Sequence, residues 1–243
     1  MSNLTIDNGN SSSKIALFRN EQLVLREVWK RSSVERYKEF IDEHQVKKVI
    51  LSTVGKMDPS IEDYLEQQEY FISLSYKTPL PIKNRYATPE TLGDDRIAAV
   101  MGAYQLYPNE HNLVIDVGTC INIEFLTKDK EYLGGTITPG IRLRYKAMHE
   151  FTAALPLVKR RDLESFIGNS TETCMRTGAQ LGALYEIEGC IQRYQDKFGK
   201  INIIITGGDA EYFVSQMKSE IFAVPNLVLI GLNKILDYNA SKL

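Results

Sequence analysis

One pattern occurs twice in this chain and limits what it can become: an apolar strand that runs into an aspartate, one further residue, a glycine, and then a small polar residue. The first copy is Leu4 to Ser11, LTIDNGNS, and the second is Leu113 to Thr119, LVIDVGT. In the first, Leu4 and Ile6 suit a strand, Gly9 reaches backbone conformations closed to other residues, and Asn10, Ser11 and Ser12 supply hydrogen-bond donors. Such a turn can hold a triphosphate, and Asp7 can hold a hydrated divalent cation that bridges to it. Taken alone, the stretch also reads as a hairpin whose turn merely reverses the chain. The second copy, with Asp116 in the place of Asp7, favours the shared chemical reading.

The flanking segments repeat as well. Each copy is followed by two strand-like runs, Lys14 to Phe18 and Leu23 to Trp29 in the first half, Ile121 to Leu126 and Tyr132 to Ile137 in the second. Each half then carries a buried strand ending in small residues, KKVILSTVG and INIIITGGD. Two antiparallel meanders with a later parallel strand describe an internal duplication. The expected division is a first domain over residues 1–110 and a second over 111–243, with a helical insertion at about 140–200.

Between these landmarks, Ser32 to Gln45 reads as a helix opened by a Ser32/Glu35 capping box, with Val34, Tyr37, Phe40 and Ile41 on one face. Val49 to Leu51 reads as a central strand, Asp58 and Pro59 open a short helix bearing Ile61, Tyr64 and Leu65, and Phe71 to Leu74 is a candidate edge strand. Asn169 to Thr171 is expected to cap a helix running to Gln195, with Leu184, Ile187, Ile191 and Tyr194 facing the core. Gly178, Gly182 and Gly189 each weaken that helix by roughly 1 kcal/mol relative to Ala, so they point to close approach of another helix. Asp209 is the expected cap of the helix after Gly207 and Gly208. Leu227 to Ile230 is expected as a closing strand and Leu232 to Tyr238 as the final helix.

Composition excludes several classes. With 43% hydrophobic and 25% charged residues and a net charge of −2, the chain is an ordinary globular sequence with no general field for nucleic acid. The run Lys159, Arg160, Arg161 reads as a solvated surface loop. Three cysteines without a C-x-x-C spacing and three scattered histidines offer neither a disulfide framework nor a zinc site. The first strand starts almost at once, without a signal-type leader, and no apolar run is long enough for a membrane span. The expectation is a cytoplasmic protein with no nucleic-acid or membrane partner.

The second chemical stretch is Tyr86 to Ala99, YATPETLGDDRIAA, where Asp94, Asp95 and Arg96 stand at the entrance of a helix containing Ile97, Val100, Met101 and Tyr104. Two acids there suit the positive end of the helix dipole, with Arg96 pairing with a neighbour, and on these residues alone that reading stands beside a catalytic one. There is no G-x-x-x-x-G-K-[ST], so a phosphate grip has to come from the two Asp-x-Gly loops.

The duplication and the later Gly-Gly turn resemble the actin-like superfamily of sugar kinases, acetate kinases, chaperone ATPases and actin. That likeness implies an α/β, duplicated actin-like, ribonuclease H-like two-domain kinase fold with a cleft between the halves. The set Asp7 to Ser11, Tyr86, Gly93 to Arg96, Asp116 to Thr119 and Gly134 to Gly140 is similar to type III pantothenate kinase in particular. Ser11 stands for the commoner Thr and keeps the hydroxyl, and Ser52-Thr53-Val54-Gly55 lacks a proline often found there.

The resemblance implies transfer of the γ-phosphoryl of ATP to pantothenate, with Asp95 as general base and Tyr86, Gly93, Asp94, Arg96 and Thr171 holding the acceptor. It assigns the nucleotide to Asp7, Asn8, Gly9, Asn10, Ser11, Ser12, Ser13, Lys14, Thr119, Gly207 and Gly208. Mg²⁺ would sit with the phosphates at Asp7, and a monovalent cation, K⁺ or NH₄⁺, at Asp116. It further implies a homodimer in which Thr171 contributes across the interface. The alternatives are a non-catalytic actin-like nucleotide-binding regulator and a sugar or acid kinase of the same superfamily.

Overall fold

In this computed structural model, which describes every residue except Met1, Asn10, Ser11, Lys218, Ser219 and Leu243, the duplication is visible as two sheets of the same order. The first has the order β3-β2-β1-β4-β5, built from β1 (Ser2–Asn8), β2 (Ser13–Arg19), β3 (Gln22–Trp29), β4 (Val46–Thr53) and β5 (Phe71–Ser73). β1, β2 and β3 pair antiparallel as a meander, and β4 lies parallel to both β1 and β5. A two-residue strand, β6 (Lys83–Asn84), follows them in the chain. The second sheet repeats the order of the first with β7 (Asn112–Val117), β8 (Cys120–Leu126), β9 (Glu131–Pro139), β10 (Asn202–Thr206) and β11 (Phe222–Ala223), arranged β11-β10-β7-β8-β9. β10 runs parallel to β7 and to β11. β6 pairs with Glu131 and Tyr132 at the start of β9, and so short a run carries no strand pattern of its own.

By packing, the chain forms two units, residues 1–109 with 126–134 and 226–243, and residues 110–125 with 135–225. In the first unit the alternation of β1 decides what each face meets. Leu4 and Ile6 join Ile15, Leu17, Val49 and Leu51 in a core covered by Tyr37, Phe40 and Ile41 of α1 (Val34–His44) and by Ile61 and Leu65 of α2 (Pro59–Glu66). The opposite face carries Asn3, Thr5 and Asp7. There Asn3 donates to Asn233 at 2.8 Å and to Asp237 at 2.9 Å, tying β1 to α7 (Leu227–Ala240).

α7 corrects an expectation. Leu227 to Ile230 is the first turn of this helix and not a closing strand, and the actual last strand is β11. A four-residue apolar run cannot be told from a buried helical turn by pattern alone. Its neighbour settles the matter: α3 (Asp94–Leu106) crosses α7 so closely that a Cβ on Gly231 would lie 1.7 Å from the Ala98 carbonyl oxygen, and one on Gly102 would lie 2.3 Å from that of Leu227. Gly231, which follows the expected strand, is a contact point between two helices. The residues from 226 onward therefore pack with the first unit and do not finish the second.

Two caps can be compared with expectation. Ser33 caps α1 by accepting from the Arg36 amide at 3.4 Å, displacing the Ser32/Glu35 box by one residue. Asp58 caps α2 as expected. In the second unit, α4 (Ile141–Glu150) and α5 (Thr171–Phe198) lay Ile141, Tyr145, Met175, Leu184, Ile187 and Ile191 against Leu113, Ile115, Val117, Ile121, Ile123 and Phe125. Asp116, between Ile115 and Val117, occupies the other face of β7.

Candidate active site

In the first unit the Asp7 loop is held by its own side chains. Asn8 donates to the Thr53 hydroxyl at 3.0 Å and accepts from Ser13 at 2.8 Å, while its carbonyl takes the amides of Val54 and Gly55. The Gly9 amide closes the turn on the Ser12 carbonyl at 3.1 Å. Asp7 is 5% exposed and its carboxylate meets the Lys14 ammonium at 3.1 Å. Asn8 and Ser13, expected as nucleotide contacts, thus use their side chains to fix the loop, which leaves it as a β1–β2 hairpin as well. Asn10 and Ser11 lie outside the described residues.

The cluster expected to hold an acceptor is built by the start of α3, which begins one residue after Gly93. Thr88 and Pro89 open only a single 3₁₀ turn, Pro89–Thr91, without a side-chain cap. Gly93 is needed because a Cβ there would lie 2.7 Å from the Asp95 carboxylate. That carboxylate takes the Arg96 amide at 2.8 Å. Burial pushes the Asp95 pKa above the usual carboxylate range, the Arg96 amide opposes this, and the nearby Asp7 charge raises it further. A carboxylate at the end of β1 and one at the start of α3 are therefore electrostatic neighbours, because both occupy the side of the sheet that α3 and α7 cover.

Arg96 is 7% exposed and its guanidinium reaches the Tyr86 hydroxyl at 3.4 Å and the Tyr132 hydroxyl at 3.5 Å. It also lies 5.3 Å from the Tyr86 ring, and Tyr86 and Tyr132 stack with centroids 6.3 Å apart. Tyr86, Gly93, Asp95 and Arg96 are brought together as expected. Tyr132 and Gly134 join them without a sequence signal for it: a Cβ on Gly134, whose φ is +89°, would press on the Tyr86 ring at 3.1 Å. Gly134 belongs to the Gly134–Gly140 stretch that shares in the family resemblance, but nothing in its local sequence ties it to Tyr86.

Asp94 differs from Asp95. Consecutive helical residues point about 100° apart, and Asp94 lines a cavity of about 140 Å³ with Ser75, Thr78, Asn84 and Ile97. Its pKa is pushed up to about 6, chiefly by burial and then by Asp95.

In the second unit the Asp116 loop is walled by glycines. Gly207 has φ +97°, and a Cβ there would lie 2.4 Å from the Val117 carbonyl oxygen and 2.5 Å from the Asp116 carboxylate. The Asp209 amide reaches the same Val117 carbonyl at 3.0 Å. On its other side, a Cβ on Gly140 would lie 2.2 Å from the Gly118 oxygen, and the Gly140 amide bonds the Thr119 carbonyl at 2.9 Å. Gly207 thus packs on Asp116 and Gly140 on the Gly118–Thr119 turn of the same loop, while Gly208, next to Gly207, faces open space. Asp209 precedes α6 (Ala210–Gln216) but does not cap it through its side chain; its carboxylate pairs with Arg160 at 2.5 Å.

Ser170 is the cap of α5, in a box with Thr173, so Thr171 is not spent as a cap and is exposed at the first helical position. It borders an open cavity of about 700 Å³ with Met148, Leu155, Asn169 and Cys174. The glycines of α5 meet no other helix backbone of this chain among the described residues: a Cβ on Gly178 or Gly189 meets nothing within 4 Å, and one on Gly182 meets only the Arg144 side chain at 4.0 Å.

Comparison with known proteins supplies the class first. The fold matches a ROK hexokinase from Thermus thermophilus (TM-score 0.57, 13% identity, 99% of this chain and 100% of that one) and a Baf family transcriptional activator from Campylobacter jejuni (TM-score 0.63, 22% identity, 98% and 99%). This is the duplicated actin-like kinase fold. The family model for type III pantothenate kinase matches residues 3–193, and a type III pantothenate kinase from Christiangramia forsetii is 41% identical over 99% of this chain and 100% of its own length. The chain belongs to the type III pantothenate kinase family.

The raised Asp94 pKa makes a testable statement about stability. A carboxyl that binds its proton more tightly folded than unfolded contributes stability below pH 3.8, and that contribution is lost as pH rises through about 6. Asp94→Asn is expected to match the wild type near pH 4 and to exceed it at pH 8 by about 1 kcal/mol, after allowance for solvent screening and the lost helix-dipole term. Urea denaturation at the two pH values checks this; an equal difference at both would contradict it.

Proposed function

We propose that this chain transfers the γ-phosphoryl group of ATP to the primary hydroxyl of pantothenate, giving 4′-phosphopantothenate in the first step of coenzyme A biosynthesis. The observation that carries this reading is Asp95, a half-buried carboxylate with a raised pKa, set at the start of α3 within the field of Asp7. An ionised carboxylate placed there can accept the hydroxyl proton as the oxygen attacks. As the acceptor oxygen forms its bond to the γ-phosphorus, the bond to the β–γ bridging oxygen breaks. ADP departs and the proton passes to Asp95. Tyr86, Gly93 and Arg96 orient the acceptor, with Arg96 fixed by two tyrosine hydroxyls. Asp94 is assigned to the rim of that pocket.

The nucleotide is assigned to the Asp7–Lys14 loop, Thr119, Gly207 and Gly208. The residues fit hard cations: no cluster of three metal-ligating side chains occurs among the described residues, but Asp7 and Asp116 are single oxygen donors of the kind that substrate phosphates and water complete. Mg²⁺ at Asp7 would supply charge neutralisation on the phosphates, and K⁺ or NH₄⁺ is assigned to Asp116 beside the Val117 carbonyl. The active unit is proposed to be a homodimer, supported by exposed Thr171 and by the glycine face of α5. The proposed compartment is the cytoplasm, where ATP is supplied; no described helix is long and apolar enough to cross a membrane.

The decisive assay offers purified protein ATP, Mg²⁺ and K⁺ with a panel of acceptors; phosphorylation of a hexose in preference to pantothenate would overturn the reading. Asp95→Asn should lower kcat by about 10²- to 10⁴-fold with pantothenate binding retained, since the amide keeps shape and loses basicity. Replacing Na⁺ by K⁺ or NH₄⁺ should raise the rate, and Asp116→Asn should blunt that response; identical rates in the three salts would remove the monovalent site. Asp95→Asn and Thr171→Val proteins should each be poor enzymes, yet regain activity after subunit exchange, because one site of a mixed dimer keeps both residues. Mixed dimers that form and stay inactive would return Thr171 to a plain helical position.

A further inference from the structure

The segment between α4 and α5, residues 151–170, crosses the second unit without regular secondary structure, and loops of this length in compact domains usually have a function of their own. It is fastened at three consecutive residues. Val158 is 5% exposed within the core. The Lys159 carbonyl accepts from the Arg176 guanidinium at 3.1 Å, and Arg176 is itself paired with Glu172 on α5. Arg160 then reaches Asp209 at 2.5 Å and lies 5.2 Å from the ring of Tyr212. The basic run that reads as a free surface loop is thus anchored, through Arg160, to the residue that follows Gly207 and Gly208.

The position of Asp209 gives this contact a consequence. Its amide already bonds the Val117 carbonyl within the Asp116 loop, at 3.0 Å. Gly207 beside it has a left-handed φ of +97°, a conformation that a glycine leaves readily. The Asp209 side chain does not cap α6, so its salt bridge to Arg160 is what holds it. A planar guanidinium paired with a carboxylate beside an aromatic ring fixes orientation in a way an ammonium does not.

We propose that Arg160 is a positioning residue for the nucleotide: by clamping Asp209 and Tyr212 it sets the Gly207–Gly208 turn in the shape that receives ATP. This rests on the assignment of the nucleotide to that turn, and the two ideas separate experimentally. Gly208 faces open space, where a Cβ would meet nothing within 4 Å. Gly208→Val therefore starts its side chain in open space, the space that the assignment gives to the nucleotide.

The experiment measures ADP binding by calorimetry and steady-state kinetics for Arg160→Met, Arg160→Lys and Gly208→Val in the full chain. Arg160→Met is expected to raise the KM for ATP and weaken ADP binding by roughly tenfold, the scale of one charge-assisted contact, with kcat and the KM for pantothenate within about twofold of wild type. Arg160→Lys should recover part of this loss, and Gly208→Val should abolish ADP binding. If Gly208→Val binds ADP normally, the nucleotide is not seated at this turn and the inference falls with that assignment. If Gly208→Val fails to bind while Arg160→Met behaves as wild type, the assignment stands and the role of Arg160 is wrong. A fall in kcat and a rise in both KM values for Arg160→Met would make Arg160 a general structural residue and would likewise overturn the proposal.

Discussion

The backbone contact between α3 and α7 is the constraint on which the placement of Asp95 depends. Gly102 and Gly231 let the two helices approach until each glycine faces a carbonyl oxygen of the other helix. Any side chain at either position would force them apart. Both helices lie on the face of β1 that carries Asn3, Thr5 and Asp7, and α7 is tied there through Asn233 and Asp237. With α7 fixed to the sheet and α3 fixed to α7, the start of α3 has little freedom. The field between the Asp95 and Asp7 carboxylates is therefore set by helix packing at Gly102, about two turns along α3.

That placement works against stability. Asp7, Asp94 and Asp95 gather negative charge in a partly desolvated region, and burial with like charge raises the pKa of both residues of α3. Lys14 offsets one of these charges. A structural protein would gain by replacing the remaining acids with neutral residues. A phosphotransferase has a use for them, since a cation brought in with the phosphates neutralises part of the charge while a base of raised pKa remains for the acceptor.

Much of this was legible from the chain because the informative patterns were local or repeated. The two Asp-x-Gly strands, their meanders and the later parallel strands reappear as two sheets of one order, and Asp58, Tyr37, Leu65, Leu184 and Ile187 fall where turn chemistry and helical periodicity put them. What was not legible depends on partners far away in sequence. Leu227 to Ile230 satisfies a strand and a helix equally until α3 is present. Gly134 needs the Tyr86 ring to explain it, Gly140 needs the Thr119 loop, and Asp209 needs Arg160. Ser33 in place of Ser32 is a one-residue ambiguity that two adjacent serines cannot resolve.

The duplicated loops also show how one motif is stabilised by two different means. In the first half, polar side chains hold the turn: Asn8 bridges Thr53 and Ser13 and collects the Val54 and Gly55 amides. In the second, the place of Asn8 is taken by Val117, whose side chain cannot make those bonds. There the turn is held from both sides by backbone, with Gly207 and Gly140 packed against carbonyl oxygens. A wall of backbone atoms without side chains leaves more room for a ligand beside it, while a side-chain network gives a more rigid rim. The half held by side chains is also the half that carries Asp95 at the start of α3, while the half walled by backbone keeps open space beside Gly208.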